Sequence, residues 1–209
     1  MRNILDFLIK IGKLKKIKRK GWVLRKVKDP ETIAAHTFRM TIMAWILCCK
    51  RKLNTNKILK MSLIHDLCEV YAGDTTPYDD ILPKDKKQWK EIFNKWPRLS
   101  KQKKEKIFLK KYRKEEMALR KLIAKLPPEL KKEIRDLWDD YKKGLTKEGR
   151  FISQVDRIEN LLQALEYWKR GNKFAIEPWW IQIEELVDDP VLLEFMEILD
   201  HNFHKKCKK

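Results

Sequence analysis

Apolar residues return every three or four positions along most of this chain, and no stretch reads as a convincing strand or as an internal repeat. Such a pattern buries one stripe of each helix. The first helix is expected from about Asn3 to Ile17, with Ile4, Leu8, Ile11 and either Leu14 or Ile17 on one face. In "KDPET" Asp29 can cap a second helix, and Pro30 sits where its missing N–H costs nothing. That helix carries Ile33, His36, Met40, Met43 and Leu47 along one stripe. Another starts near "NTN" and runs to about Ala72, with Ile58, Met61, His65, Cys68 and Ala72 aligned. "GDTTPYDD" is a loop and a new cap, with Pro77 near the first turn.

Charges outnumber apolar residues from Lys84 to about Lys121, which predicts one or two solvated helices. Pro127 and Pro128 break that run. A helix then reaches about Lys142, "GLTKEGR" turns, and Phe151 to about Lys169 is a further helix. After the loop "RGNKFAIEPWW", helices cover Trp180 to Asp188 and Val191 to His204. With only 6 Gly and 8 Pro in 209 residues, a turn-dense all-β protein is excluded. The expected fold class is all-α, one domain over residues 1–209 of about seven helices. Its core covers about residues 8–170, 86–110 is a Lys-rich helical insertion, and 171–209 holds C-terminal helices.

The net charge of +19 is mostly Lys, so the surface attracts anions without saying which. Cys48, Cys49, Cys68 and Cys207 form no CxxC pair, which fits a reducing compartment, and a cytoplasmic location is expected. "MRNILDFLIKIGKLKKIKRKGW" is basic and amphipathic, but Asp6 interrupts it and no small-residue cleavage site follows. No window is apolar enough for a membrane span.

Polar groups on apolar stripes carry the functional signal. The chain has 4 His, and two of them, His36 and His65, face inward on consecutive helices. Taken singly, each is a satisfied core histidine. But Asp66 follows His65 directly, and a buried carboxylate needs a partner or a cation. Glu69 shares that side of the helix, and Asp74 lies just beyond its end. In "FISQVDRIENLLQALEY" Asp156 falls off the apolar face, on a narrow stripe with Ser153, Asn160, Gln163 and Tyr167. That stripe suits solvent or the edge of a polar cavity. Two imidazoles and two carboxylates suit one divalent transition metal, Mn, Co, Fe, Ni or Zn, with positions open to water. Glu69 and Asp74 would stand beside it as carboxylates able to orient or deprotonate a water, or to protonate a leaving oxygen.

The order His36, His65-Asp66, Asp156 resembles the HD-domain metal-dependent phosphohydrolases. "PETIAAHTFRM", "LIHDLCEVYAGDTTP", "QVDRIENLLQALEY" and, upstream, "RKGWVLRKV" are similar to the 5′-deoxynucleotidase group of HD-domain-containing protein 2 and YfbR. The resemblance spans about Leu8 to Gln88 and Leu126 to Tyr167. It implies that His36, His65, Asp66 and Asp156 hold the metal, and that Glu69 and Asp74 are catalytic. It places Arg19 and Trp22 near the phosphate and sugar, with Thr75 or Thr76 in the phosphate pocket. It implies hydrolysis of (deoxy)nucleoside 5′-monophosphates, with discrimination at the sugar 2′ position, and a homodimer, which exposed-looking Trp179 and Trp180 also suggest. Two departures stand out. Lys26 replaces the Asn expected after Arg25, which would alter the pocket rim. The segment from about Lys86 to Lys110 is longer than in relatives; Trp89, Phe93, Trp96 and Phe108 could pack it over the site or at a dimer interface, but a solvated insertion is preferred. The same metal chemistry also fits a cyclic nucleotide, an alarmone or another phosphate ester. A basic nucleic-acid-binding protein with a vestigial site is the remaining reading. Basic residues spread along the chain and scarcely interleaved with aromatics argue against it, so nucleic acid is not an expected partner.

Overall fold

Helix α9 (Lys147–Lys169) is the element around which the others pack. Its apolar residues Phe151, Ile152, Val155, Ile158, Leu161 and Leu165 are all buried, and so are Asp156, Glu159, Gln163 and Tyr167 on its other side. A helix buried on both faces is an interior strut. The computed structural model describes residues 1–95 and 97–203; Trp96, His204 and Cys207 lie outside the described residues.

In chain order the α-helices are α1 (Arg2–Ile11), α2 (Lys20–Leu24), α3 (Ile33–Cys48), α4 (Thr55–Ile64), α5 (Glu69–Ala72), α6 (Trp89–Phe93), α7 (Lys101–Ile123), α8 (Pro128–Lys143), α9, α10 (Glu177–Leu186) and α11 (Pro190–Phe203). Among the described residues there is no strand, only an isolated bridge between Lys18 and Thr32. The fold is all-α as expected, with more helices than the seven foreseen because single-turn helices interrupt the longer ones. α3, α4, α8, α10 and α11 all pack on α9. One cluster of the core gathers Met40, Ile58, Val155, Ile183 and Leu192 around it, and a second lies under α7 and α8. No described helix is long and apolar enough to cross a membrane.

Local chemistry corrects several expected boundaries. α1 stops at Ile11 and a 3₁₀ turn (Gly12–Lys15) follows; Leu8 faces solvent at 52 % exposure, while Ile4, Phe7, Ile11 and Ile17 pack on the second core cluster. Asp29 does not cap α3. It adopts φ 53°, and Thr32 is the cap, accepting from the Ala35 amide at 3.2 Å. Lys26 also has a positive φ, 56°, and its side chain is exposed outside the cavity described below. Asn tolerates that conformation better than Lys, so this departure affects the backbone and leaves the pocket rim unchanged. The helix foreseen from "NTN" to Ala72 is cut into α4 and α5 by a turn over residues 65–68. α9 begins four residues before Phe151, because Thr146 caps it by accepting from the Gly149 amide.

The α8–α9 corner fixes the angle at which α9 enters the core. Gly144 closes α8 with φ 60°. Asp140 then accepts from the Thr146 amide at 2.8 Å and from its hydroxyl at 2.6 Å, and pairs with Lys57 of α4 at 2.6 Å. Gly149 is pressed against this corner: a Cβ there would come within 2.6 Å of the Asp140 carbonyl oxygen and 2.2 Å of its carboxylate. Gly149→Ala should therefore cost about 1–3 kcal/mol by overpacking. A urea denaturation midpoint equal to that of the native chain would show that the corner yields.

Candidate active site

Between α4 and α5, residues 64–71 run through i→i+3 bonds, Leu67 N–H to Ile64 O at 3.1 Å and Glu69 N–H to Asp66 O at 3.0 Å among them. The His65 and Asp66 side chains are both buried at this turn, and His65 Nε2 lies 3.1 Å from Asp66 Oδ2. α3 brings His36, whose Nε2 is 3.3 Å from His65 Nε2 and 3.2 Å from Asp156 Oδ1 on α9. Two donors each about 2.1 Å from one ion, at about 90–109°, are about 3.0–3.4 Å apart. The His36, His65 and Asp156 donor atoms converge within 4.8 Å of one another. Asp66 meets this group through His65 and is also held by Arg19 at 3.3 Å. These residues fit a divalent ion.

A second layer orients them. His36 Nδ1 is bonded to Glu159, which is fully buried, and Glu159 Oε1 accepts from Arg39 Nε at 2.8 Å. Arg39 also donates to Gln163 and Glu166, both at 2.7 Å. His65 Nδ1 lies 2.6 Å from the Ser62 carbonyl oxygen, so Nε2 is the face turned to the site in both rings. Asp156 Oδ2 accepts from Tyr141 OH at 2.9 Å and Arg157 at 3.0 Å, and Asn160 donates to Oδ1 at 3.2 Å.

The electrostatics follow from this crowding. Burial raises the Asp156 carboxyl, but Arg157, His36 and His65 together hold it well below the usual carboxylate range. Asp66 is likewise depressed: burial opposes ionisation, and His65, Lys142 and Arg19 outweigh it. His36 goes the other way. Burial and Arg19 work against its charge, but Glu159 and Asp156 lift its pKa to about 10.

Glu69 opens α5, and Gly73, with φ 70° and ψ 160°, turns the chain so that Asp74 returns to the site. Glu69 is 4 % exposed, and its Oε2 has no hydrogen-bond partner among the described residues. Burial, then Asp66 and Asp74, raise its carboxyl well above the usual range. Asp74 Oδ2 accepts from the Lys20 amide at 2.6 Å. Arg19 bridges Asp66 and Asn160, the latter at 2.6 Å. Trp22 is nearly buried, stacked on Trp179 at 5.5 Å and edge-on to Tyr167, and its Nε1 donates to Glu31. Thr75 Oγ1 is buried without a partner, whereas Thr76 Oγ1 is committed to Asp79 at 2.7 Å. All ten predicted site residues except His36 and His65 line one cavity of about 450 Å³, and those two close its floor beneath Asp66 and Asp156.

Three further points correct the sequence-based expectations. Segment 86–110 is not merely solvated: Leu99, Ile107 and Phe108 face the cavity, and Phe93 is buried against Tyr78. The Arg25 guanidinium lies over the Trp179, Phe93 and Tyr78 rings at 4.4–5.1 Å, tying this segment to α10. Trp179 and Trp180 are half-buried against the core, so they are not an exposed pair. Glu159, Arg39, Arg157 and Lys142 were not foreseen because a charge on a helix reads as solvent-facing, and Tyr141 because a helical tyrosine reads as core; Glu159 and Arg157 had proximity in sequence to Asp156 as a signal, and Arg39 proximity to the α3 stripe.

Comparisons with known proteins agree with this geometry. A family model described as HD domain matches residues 11–184. The 5′-deoxynucleotidase HDDC2 of Xenopus laevis is 34 % identical over 166 residues, covering 79 % of this chain and 70 % of its own. Its namesake in Dictyostelium discoideum is 34 % identical over 180 residues, covering 83 % and 82 %. Among solved structures, a conserved hypothetical protein of Pyrococcus furiosus aligns with TM-score 0.68 at 26 % identity over 94 % of this chain and 99 % of its own. A predicted metal-dependent phosphohydrolase of Magnetospirillum magnetotacticum aligns with TM-score 0.58 at 27 % identity over 79 % and 72 %.

A cation held at His36 Nε2 would displace the proton that Asp156 faces there, while Glu159 stays on Nδ1. Metal uptake by the chelated protein at pH 7 should therefore release a proton, and affinity should rise with pH, because the group losing the proton has its pKa raised to about 10. Glu159→Ala should diminish that release and weaken metal binding about 10–100-fold. Calorimetry in buffers of different ionisation enthalpy measures both; a buffer-independent heat would contradict the assignment.

Proposed function

The chain belongs to the HD-domain family, and on that premise we propose that it is a metal-dependent 5′-deoxynucleotidase, releasing phosphate from deoxynucleoside 5′-monophosphates. The observation that carries the reading is Glu69: a buried carboxyl with a free oxygen, beside two imidazoles and two carboxylates at the floor of a cavity. His36, His65, Asp66 and Asp156 hold the divalent ion, which their mixed nitrogen and oxygen donors allow to be Mn, Co, Fe, Ni or Zn. When bound, the ion supplies charge neutralisation at phosphate and a more acidic water.

The chain's own groups do the rest. Glu69, whose carboxyl is raised well above the usual range by burial and then by Asp66 and Asp74, gives a proton to the departing 5′-oxygen as the P–O bond breaks. Asp74, fixed through one oxygen by the Lys20 amide, takes a proton from the attacking water as its oxygen bonds to phosphorus. Arg19, held between Asp66 and Asn160, binds phosphoryl oxygens, and Thr75 offers a hydroxyl that has no other partner. Trp22, wedged by Trp179 and Tyr167, is a rigid wall for the sugar and leaves no give for a 2′-hydroxyl. The products are nucleoside and phosphate.

The reading extends to a cytoplasmic homodimer. The free thiols Cys48, Cys49 and Cys68 suit a reducing compartment. α3 turns Phe38, Ile42, Trp45 and Ile46 outward, with Phe38 71 % and Ile46 62 % exposed, a stripe that a second copy can cover. Sedimentation should give a dimer for the native chain and a monomer for Trp45→Glu; a native monomer removes the dimer.

Phosphate release from 5′-nucleotides, deoxy and ribo, mono- to triphosphate, tests the activity. Chelated protein should be inert, and protein reconstituted with one of the five metals should cleave deoxymonophosphates best. Glu69→Gln should lower kcat at least about 100-fold while metal content stays the same. Stoichiometric metal with no release from any nucleotide would remove the nucleotidase and leave the site to another phosphate ester.

A further inference from the structure

Glu115 of α7 is a buried carboxylate, 1 % exposed, with two lysines around it. Lys142 Nζ of α8 lies 2.8 Å from Oε2, and Lys111 Nζ lies 3.5 Å from Oε1. Neither carboxylate oxygen has an aligned hydrogen bond among the described residues. The Lys142 side chain is 12 % exposed, and its ammonium sits 4.9 Å from the Tyr141 ring centroid and 5.5 Å from that of Trp138. All three charged groups line the cavity that holds Asp66, Glu69 and Asp74. The Lys142 charge acts on Asp66 and on the Cys68 thiol, and the Lys111 charge acts on Glu69. The cluster therefore borders the reacting centre.

A buried pair kept only for packing would be one cation against one anion, with hydrogen bonds aligned, because desolvating an ammonium is costly. Here two cations, Lys142 nearly buried and Lys111 with a side chain 43 % exposed, share one carboxylate without alignment, so Glu115 does not engage all of their ammonium protons. Glu115 explains how two lysines can be brought together and does not use up their charge. Lysine suits this role: it is a compact point charge with three rotatable donors, able to meet tetrahedral phosphate oxygens from the side.

We propose that Lys142, with Lys111 beside it, is an anion subsite that binds oxygens of the phosphoryl group, on the wall of the cavity formed by α7 and α8. The proposal rests on the phosphomonoesterase reading of this cavity. It gives α7 of the Lys-rich segment a chemical task, and it means that a substrate's phosphate is gripped from two sides, by Arg19 and by Lys142.

Inorganic phosphate is the probe, titrated calorimetrically into Mn-loaded protein. Lys142→Met keeps the apolar stem over Trp138 and Tyr141 and removes the charge. It should weaken phosphate binding about tenfold or more and raise KM for a deoxymonophosphate, with metal stoichiometry unchanged. Because Lys142→Met leaves Glu115 short of a partner and risks the fold, Glu115→Gln/Lys142→Met is the companion variant and should show the same loss. Glu115→Gln alone keeps both cations and should bind phosphate within about threefold of native. Native-like phosphate binding by either variant lacking Lys142, or a loss in Glu115→Gln equal to theirs, would overturn the subsite. If the native protein binds phosphate through Lys142 yet cleaves no nucleotide, the subsite stands and the nucleotidase falls.

Discussion

Two imidazoles and two carboxylates converge between α3, the α4–α5 turn and α9, and each would be expensive to bury alone. Their mutual proximity is what makes burial tolerable: Asp156 and Asp66 keep their charge because cations and imidazoles face them, and His36 gains a proton because Glu159 and Asp156 face it. A divalent ion supplies the same compensation in fixed form. The need to present these groups at one point accounts for features that packing alone does not, chiefly the break after Ile64 and the burial of both faces of α9.

Stability and reactivity are separated along α9. Its apolar side joins the core through Phe151, Ile152, Val155 and Ile158, while Asp156, Glu159 and Asn160 emerge on the other side over little more than one turn. Small rotations of α9 would move all three at once. The Asp140 corner, with Thr146, Lys57 and Gly149 locked around it, and the Arg39 fork onto Glu159, Gln163 and Glu166 hold that rotation at both ends. The functional helix is thus fixed by one ion-pair corner at its start and by a second network directly behind His36.

Inward stripes made His36, His65 and Asp66 legible in the sequence, because a polar residue on an apolar face has to be explained. Asp156 was legible only in company, since on its own stripe solvent was the simpler reading. The turn at His65 was not legible: Ile58, Met61, His65, Cys68 and Ala72 fit one continuous helix, and no Gly or Pro between them marks the local 3₁₀ run. Leu8 was misplaced because the packed face of α1 runs through Ile4, Phe7 and Ile11, which leaves Leu8 off it. Glu159 and Arg39 were invisible for a different reason. Charges on a helix are usually solvated, and only the tertiary neighbour, His36, distinguishes these from the rest.

The Lys-rich stretch shows the same limit at larger scale. Composition marked α7 as a solvated helix, and one face of it is: Lys103, Lys106, Lys110 and Lys114 are exposed. The other face changes character with depth, from Lys104 at the rim through Ile107 and Phe108 to Lys111, Tyr112 and finally buried Glu115. The cavity therefore has an apolar, aromatic section toward Leu99, Phe108 and Trp179 and an ionic floor where Arg19, Lys111, Lys142 and Arg157 face the acids. A nucleotide has that arrangement, a flat aromatic base at one end and a dianion at the other. The net charge of +19 draws such a ligand toward the protein, and the gradient inside the cavity matches the ligand's own.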